Sequence, residues 1–205
     1  MKKFIAFFGL MSLACAAFAA PKKVVVVLAS GFEEVEAAAP IDIMRRAGLD
    51  VTVAGLDGTQ VKGANGLTYV ADARYADVNI MEYDGIVLPG GMPGAENLAA
   101  SQKVISDVRI AAKNSKVVAA ICASPALVLA KAGVLDGHHA TCYPHTDFTS
   151  RLSDKVIYEK ADTVTDRNII TVSGPGTAML FALAIVSKMV DEKTADGLRD
   201  GMLVQ

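Results

Sequence analysis

Net charge is nearly absent from this sequence. Lys and Arg number 20 against 22 Asp and Glu, which leaves −2, and no basic stripe concentrates what positive charge there is. Such a surface offers little counterion release to a phosphate backbone, so nucleic acid is not an expected partner. Histidine is scarce, with 3 in 205 residues. No Cys or carboxylate stands at convincing ligand spacing from them, so His138-His139 after Gly137 reads as a solvated turn and no metal is expected. Neither glycine-bearing loop supplies GxGxxG, which excludes a dinucleotide fingerprint. Internal repeats, low-complexity tracts and shifts of composition are all missing, and a single domain is the natural reading of the length. Hydrophobic residues, by contrast, make up 52% and the mean hydropathy is +0.37, enough for a large core.

The first residues form a leader. Lys2-Lys3 precede an apolar run from Phe4 to Ala20, and Ala17-Phe18-Ala19 is a small-x-small cleavage signal. The run falls short of the roughly 20 residues that a spanning helix needs. The sequence therefore predicts a signal peptide over 1–19, cleaved to leave 20–205 as one exported, periplasmic domain with no membrane attachment. Lipidation at Cys15 is a minor alternative, because Ser12-Leu13-Ala14 fits a lipobox poorly.

Beyond the leader, buried strands alternate with helices. Val24–Ala29, Val51–Ala54, Gly85–Leu88, Val117–Ile121 and Asn168–Val172 read as strands. Glu33–Ala47, Ala95–Ala100, Val104–Lys113 and Thr177–Val190 read as helices. Asp57-Gly58 and Asn65-Gly66 mark turns of a short hairpin. The pattern predicts an α/β fold with a doubly wound, mostly parallel sheet covered by helices on both faces.

Ligand sites in such sheets lie beyond the carboxyl ends of the strands. Cys122 stands at that edge, where the strand Val117–Ile121 turns into a helix. Ser124 offers an N-cap oxygen, Pro125 suits the first turn, and Gly133 can end the helix. The position matches a nucleophile elbow, and N–H groups at the new helix's start favour a thiolate. Burial as an ordinary structural cysteine is the competing reading, and position alone leaves both open. Gly90 and Gly91 reach the same edge and could donate N–H groups to an oxyanion, or simply form a tight turn. Of three acidic residues opening the first helix, Glu33 and Glu34 suit the helix dipole. Glu36 lies four residues before Pro40, where a kink is expected, and its carboxyl could reach the Cys122 thiol.

Five segments in order, Glu33-Glu34-Val35-Glu36, Asp42–Gly48, Leu88-Pro89-Gly90-Gly91, Ala119–Pro125 and Ser173-Gly174-Pro175-Gly176-Thr177, resemble the ThiJ/PfpI superfamily, and within it the DJ-one branch of parkinsonism-linked protein deglycases and their bacterial relatives. The resemblance spans about Val24 to Val190. It implies a flavodoxin-like fold, a homodimer with the first helix near the interface, a reactive Cys122 and Glu36 as its hydrogen-bonding carboxyl, with no cofactor. It also implies either cofactor-free chemistry on methylglyoxal, glyoxal and their adducts, of deglycase or glyoxalase type, or oxidative-stress sensing or chaperoning without turnover. Ala123 replaces the histidine that follows the nucleophile in the protease branch, which argues against a peptidase. Tyr143 stands where some members place a histidine before Pro144, and His145 comes two residues too late. A tyrosine hydroxyl can bond a substrate oxygen but is a poor base near neutral pH. On that alignment Tyr143 faces the Cys122 pocket with Gly90, Gly91 and Ala123. Alternation along an extended chain then turns Cys142 away, so no Cys122–Cys142 disulfide is expected.

Overall fold

The computed structural model describes residues 20–205. The expected signal peptide and Cys15 lie outside the described residues. The chain runs β1 (Lys23–Leu28), α1 (Glu34–Arg46), β2 (Asp50–Gly55), β3 (Gln60–Lys62), β4 (Thr68–Val70), β5 (Ala73–Arg74), β6 (Gly85–Leu88), α2 (Gly94–Ala100), α3 (Gln102–Lys113) and β7 (Val117–Ile121). A turn of π-helix over Pro125–Leu129 then leads into α4 (Ala130–Ala132). There follow β8 (His139–Ala140), α5 (Thr146–Thr149), β9 (Ile157–Tyr158), β10 (Thr163–Asp166), β11 (Ile169–Val172), α6 (Ala178–Met189) and α7 (Glu192–Gly201).

Seven strands form the central sheet in the order β10-β11-β7-β6-β1-β2-β5. Every pairing in it is parallel except β10 with β11. The four consecutive valines of β1 explain why it lies near the middle: β-branched side chains pack well on a pleated surface, and a strand buried on both faces can be apolar throughout. Val24 and Val26 enter the layer under α1 and α6, whereas Val25 and Val27 enter the layer under α2 and α3. Gly133 adopts φ +71° and closes α4 in the left-handed conformation that glycine reaches without strain.

The short hairpin β3–β4 is present where the two turn signals place it. Helix α1 continues through the buried Pro40 to Arg46. Segments β5, β8, β9, β10, α5 and α7 have no counterpart in the sequence reading. Strands β5, β8 and β9 are two residues long, too short to show alternation, and β10 is a four-residue edge strand with one buried residue; α7 opens after a capping Asp191 whose side chain accepts from the Thr194 N–H. The histidine pair is only half a solvated turn. His138 is largely buried with Nδ1 3.2 Å from Asp166 Oδ2, and His139 starts β8 and pairs with Glu159. No helix among the described residues is long and apolar enough to cross a membrane.

Candidate active site

Three strand ends meet at one point of the sheet edge: β1, β6 and β7, adjacent in the sheet. Cys122 follows β7 directly and takes φ +65°, a conformation costly for any residue with a Cβ and common where function requires it. Its N–H donates to Val172 O at 2.8 Å, and its carbonyl accepts from Tyr143 N–H at 2.8 Å. The thiol is half-buried and free.

Glu36 arrives from the first turn of α1 and is fully buried. Its Oε2 accepts the Gly90 N–H at 2.8 Å. The Gly90 carbonyl in turn accepts the Glu33 N–H at 3.1 Å. Helix α1 is thus fastened to the loop after β6 at two points. Gly90 is required there by space. A Cβ at that position would sit 2.7 Å from Cys122 Cβ and 2.8 Å from Glu36 Oε2, so only a bare backbone lets the carboxyl and the cysteine meet.

Glu36 and Cys122 set each other's ionisation. Burial pushes the Glu36 carboxyl up to about 7, although the Gly90 N–H and the Cys122 side chain favour its charged form. Burial, and then the Glu36 charge, push the Cys122 thiol up to about 12, while the N–H groups of Gly91 and Ala123 pull it down. The N–H donors lower the thiol as the sequence predicts, but burial and a neighbouring carboxylate outweigh them and the net direction is upward. Two groups in one dry site hold a single negative charge near neutral pH. Glu36 Oε1 is buried without a hydrogen-bond partner. A proton on that oxygen removes the charge below about pH 7, and above it the charge rests on the carboxyl, poised to take the thiol proton.

The remaining predicted positions fall as follows. Gly91 and Ala123 direct N–H groups at the Cys122 sulfur. The Gly90 N–H is committed to Glu36 rather than open to a substrate. The Tyr143 ring lies over Gly174, where an added Cβ would be 3.3 Å from Cδ2, and meets Phe148 edge-on with centroids 5.9 Å apart. Cys142 is fully buried and free, with its thiol pushed up to about 11 by burial. His145 caps α5, accepting from Asp147 N–H at 3.3 Å.

Two residues have roles that the sequence reading did not give them. Ser124 does not cap the helix. It is helical itself, and its hydroxyl donates to Pro89 O at 2.6 Å. Glu34 is more than a helix-dipole residue, because its buried carboxylate accepts N–H groups from Asn65 and Leu67 and from the Asn65 side chain, which ties the β3–β4 hairpin to α1. The Asn65-Gly66 turn was legible, but its partner 31 residues away was not.

Comparison with known proteins gives concordant matches. The profile of the DJ-1/PfpI family covers residues 22–188. Protein DJ-1 homolog B of Arabidopsis thaliana is 40% identical over 188 residues, 91% of this chain and 42% of that protein. The Parkinson disease protein 7 homolog of Danio rerio is 36% identical over 188 residues, 91% of this chain and 99% of that one. Among solved structures, oxidised DJ-1 of Toxoplasma gondii superposes with a TM-score of 0.84 at 34% identity, covering 89% of this chain and 98% of its own.

Proposed function

The chain belongs to the DJ-1/PfpI family, and we propose that it is a cysteine-dependent, cofactor-free stress-response protein acting on methylglyoxal or glyoxal and their adducts. The observation that carries this reading is the buried Glu36 set against Cys122 at a strained elbow, with two N–H donors at the sulfur. Glu36 titrates near neutral pH, where a group can both take and return a proton. It takes the thiol proton, and the sulfur attacks the aldehyde carbon. The new C–S bond sends the carbonyl electron pair to oxygen, and the Gly91 and Ala123 N–H groups stabilise that oxyanion. Glu36 then returns the proton to that oxygen, giving a hemithioacetal; transfer of the C1 proton to C2 converts it to a thioester, and water cleaves the C–S bond to release the hydroxy acid and the free thiol. Tyr143 offers its hydroxyl to a substrate oxygen.

The test is conversion of methylglyoxal to its hydroxy acid by purified protein, with Cys122→Ser as control. Loss of product in the variant supports the enzyme. Equal background rates leave the second reading, in which Cys122 is oxidised to a sulfinate held by Glu36 and the same donors, without turnover. The oxidised state of a similar structure favours keeping that alternative. It is read as a peroxide-driven gain of two oxygen atoms on the Cys122 peptide.

Two further parts belong to this reading. The protein is a homodimer, supported by exposed apolar Val35 and Ala38 on α1 beside Leu67 of the hairpin, and light scattering at micromolar concentration tests it. It is exported by the leader over 1–19, which fractionation of producing cells tests.

A further inference from the structure

Ser124 is fully buried, follows directly on Ala123 and sends its hydroxyl across 35 residues to another loop. A serine inside a helix ordinarily bonds a carbonyl of the preceding turn or caps the helix start. Ser124 does neither; its partner is Pro89 O, 2.6 Å away. That oxygen and the Gly90 N–H belong to one peptide unit, and the unit is trans. A planar trans peptide fixes the direction of its N–H once its oxygen is fixed. The other end of this plane is the donor to Glu36 Oε2, at 2.8 Å. The atoms therefore form a chain: Ser124 O–H to Pro89 C=O, through the peptide, to Gly90 N–H and the Glu36 carboxyl. One residue further on, the Gly91 N–H meets the Cys122 sulfur.

We propose that Ser124 is a positioning residue, whose hydroxyl orients and polarises the Pro89–Gly90 peptide and so sets the pH at which the Cys122–Glu36 pair becomes reactive. The inference rests on Cys122 being the reactive group. Donation into a carbonyl strengthens the N–H at the other end of the same amide. Removing the hydroxyl leaves the Pro89 carbonyl unpaired in a dry site and frees the plane to turn. The Gly90 N–H then donates less well to Glu36. The Glu33 charge opposes ionisation of Glu36 in both proteins; since the Gly90 bond favours the charged carboxyl, its loss makes ionisation of the pair harder, and the reactive state moves to higher pH.

The experiment is the rate of Cys122 alkylation by iodoacetamide from pH 5 to 9, read on the Cys122 peptide by mass spectrometry, in the full chain. Ser124→Ala should move the midpoint upward by about half a unit to one unit, the scale of a weakened hydrogen bond to a charged group. Ser124→Thr keeps the hydroxyl and should restore the midpoint. Tyr75→Phe is the control for stability alone: it deletes a buried 2.7 Å bond to Asp107 that lies outside the site, and should leave the midpoint in place at a comparable loss of Tm. An unmoved midpoint in Ser124→Ala, or an equal displacement in Ser124→Thr, overturns the proposal. Alkylation needs no turnover, so an inactive protein with a displaced Ser124→Ala midpoint would sink the enzyme reading and spare this one.

Discussion

Replacing Glu36 with Gln should stabilise the protein above neutral pH and not below pH 4.5. The carboxyl is raised from 4.5 to about 7 by burial, and each unit corresponds to 1.36 kcal/mol, so keeping this site ionised costs roughly 3 kcal/mol of folding stability. The sign follows from linkage. Between pH 4.5 and 7 the unfolded chain has released a proton that the folded chain still holds, so stability falls as pH rises through that window. Below 4.5 the carboxyl is neutral in both states and costs nothing; above 7 the full cost is present. Gln carries no charge at any pH and can still accept the Gly90 N–H. For a domain of this size the difference in Tm at pH 8 should be on the order of 10 °C, shrinking to little at pH 4. Thermal denaturation of both proteins at unit steps from pH 4 to 8 checks this, with Cys122 replaced by Ser in both so that the thiol coupled to Glu36 is absent and the remaining ionisable groups cancel. Parallel Tm–pH curves would refute the argument, because they would mean that Glu36 is solvated like an ordinary carboxylate. With Cys122 retained, the stabilised variant should also lose turnover, as expected where a group is buried for function and not for stability.

Gly90→Ala should lose Cys122 alkylation and destabilise by about 1–3 kcal/mol, the usual cost of overpacking, because its Cβ would press on Cys122 Cβ, Glu36 Oε2 and Ile121 O within 2.9 Å; wild-type alkylation with unchanged Tm would contradict this. Tyr143→Phe should lower kcat/KM for methylglyoxal about tenfold, the effect of roughly 1.4 kcal/mol at the transition state, and equal values in steady-state kinetics would remove the hydroxyl from the mechanism. Glu34→Ala should lower Tm at pH 7 by leaving the Asn65 and Leu67 N–H groups unpaired, a loss of about 1–3 kcal/mol. Burial pushes the Glu34 carboxyl up, but the hydrogen bonds together outweigh it and hold the group below its usual value; the stability it contributes is therefore present above pH 4.5 and fades as pH falls through its folded pKa, so the two Tm curves should converge in acid. Mass spectrometry of unreduced protein should find Cys142 as a free thiol; a Cys122–Cys142 cross-link as the major species would overturn the separation of the two cysteines.

The sheet was legible because its strands are buried on both faces. Runs such as Val24–Leu28 and Gly85–Leu88 have no polar face to disguise them, and the glycine, Asn-Gly and Asp-Gly punctuation between them is local. The elbow was legible for the same reason: a five-residue apolar strand, then Cys122 and Pro125, all lie within nine residues. Segments β8, β9, β5 and the edge strand β10 were not, because strands of two to four residues are stabilised by the neighbours they meet rather than by any periodicity of their own. His138 shows the limit of local reading. A Gly-His-His sequence looks solvated until β10 brings Asp166 to within 3.2 Å.

The same division runs through the site itself. Position relative to a strand end placed Cys122, Gly90, Gly91 and Glu36 together, because secondary structure alone determines which ends share an edge. Ionisation was read wrongly because it depends on what surrounds a group in three dimensions. Two N–H donors at a helix start suggest an acidic thiol, yet burial and a carboxylate 86 positions earlier in the chain reverse the sign. Ser124 failed for a related reason. Its sequence neighbours, a turn before and Pro125 after, describe an N-cap so well that the hydroxyl appears already used. The helix starts without a side-chain cap, Ser124 being itself helical, and the hydroxyl instead finds Pro89 on the adjacent strand's loop. A capping residue that does not cap still has a buried hydroxyl to satisfy, and here the acceptor it finds sits one peptide away from the acid.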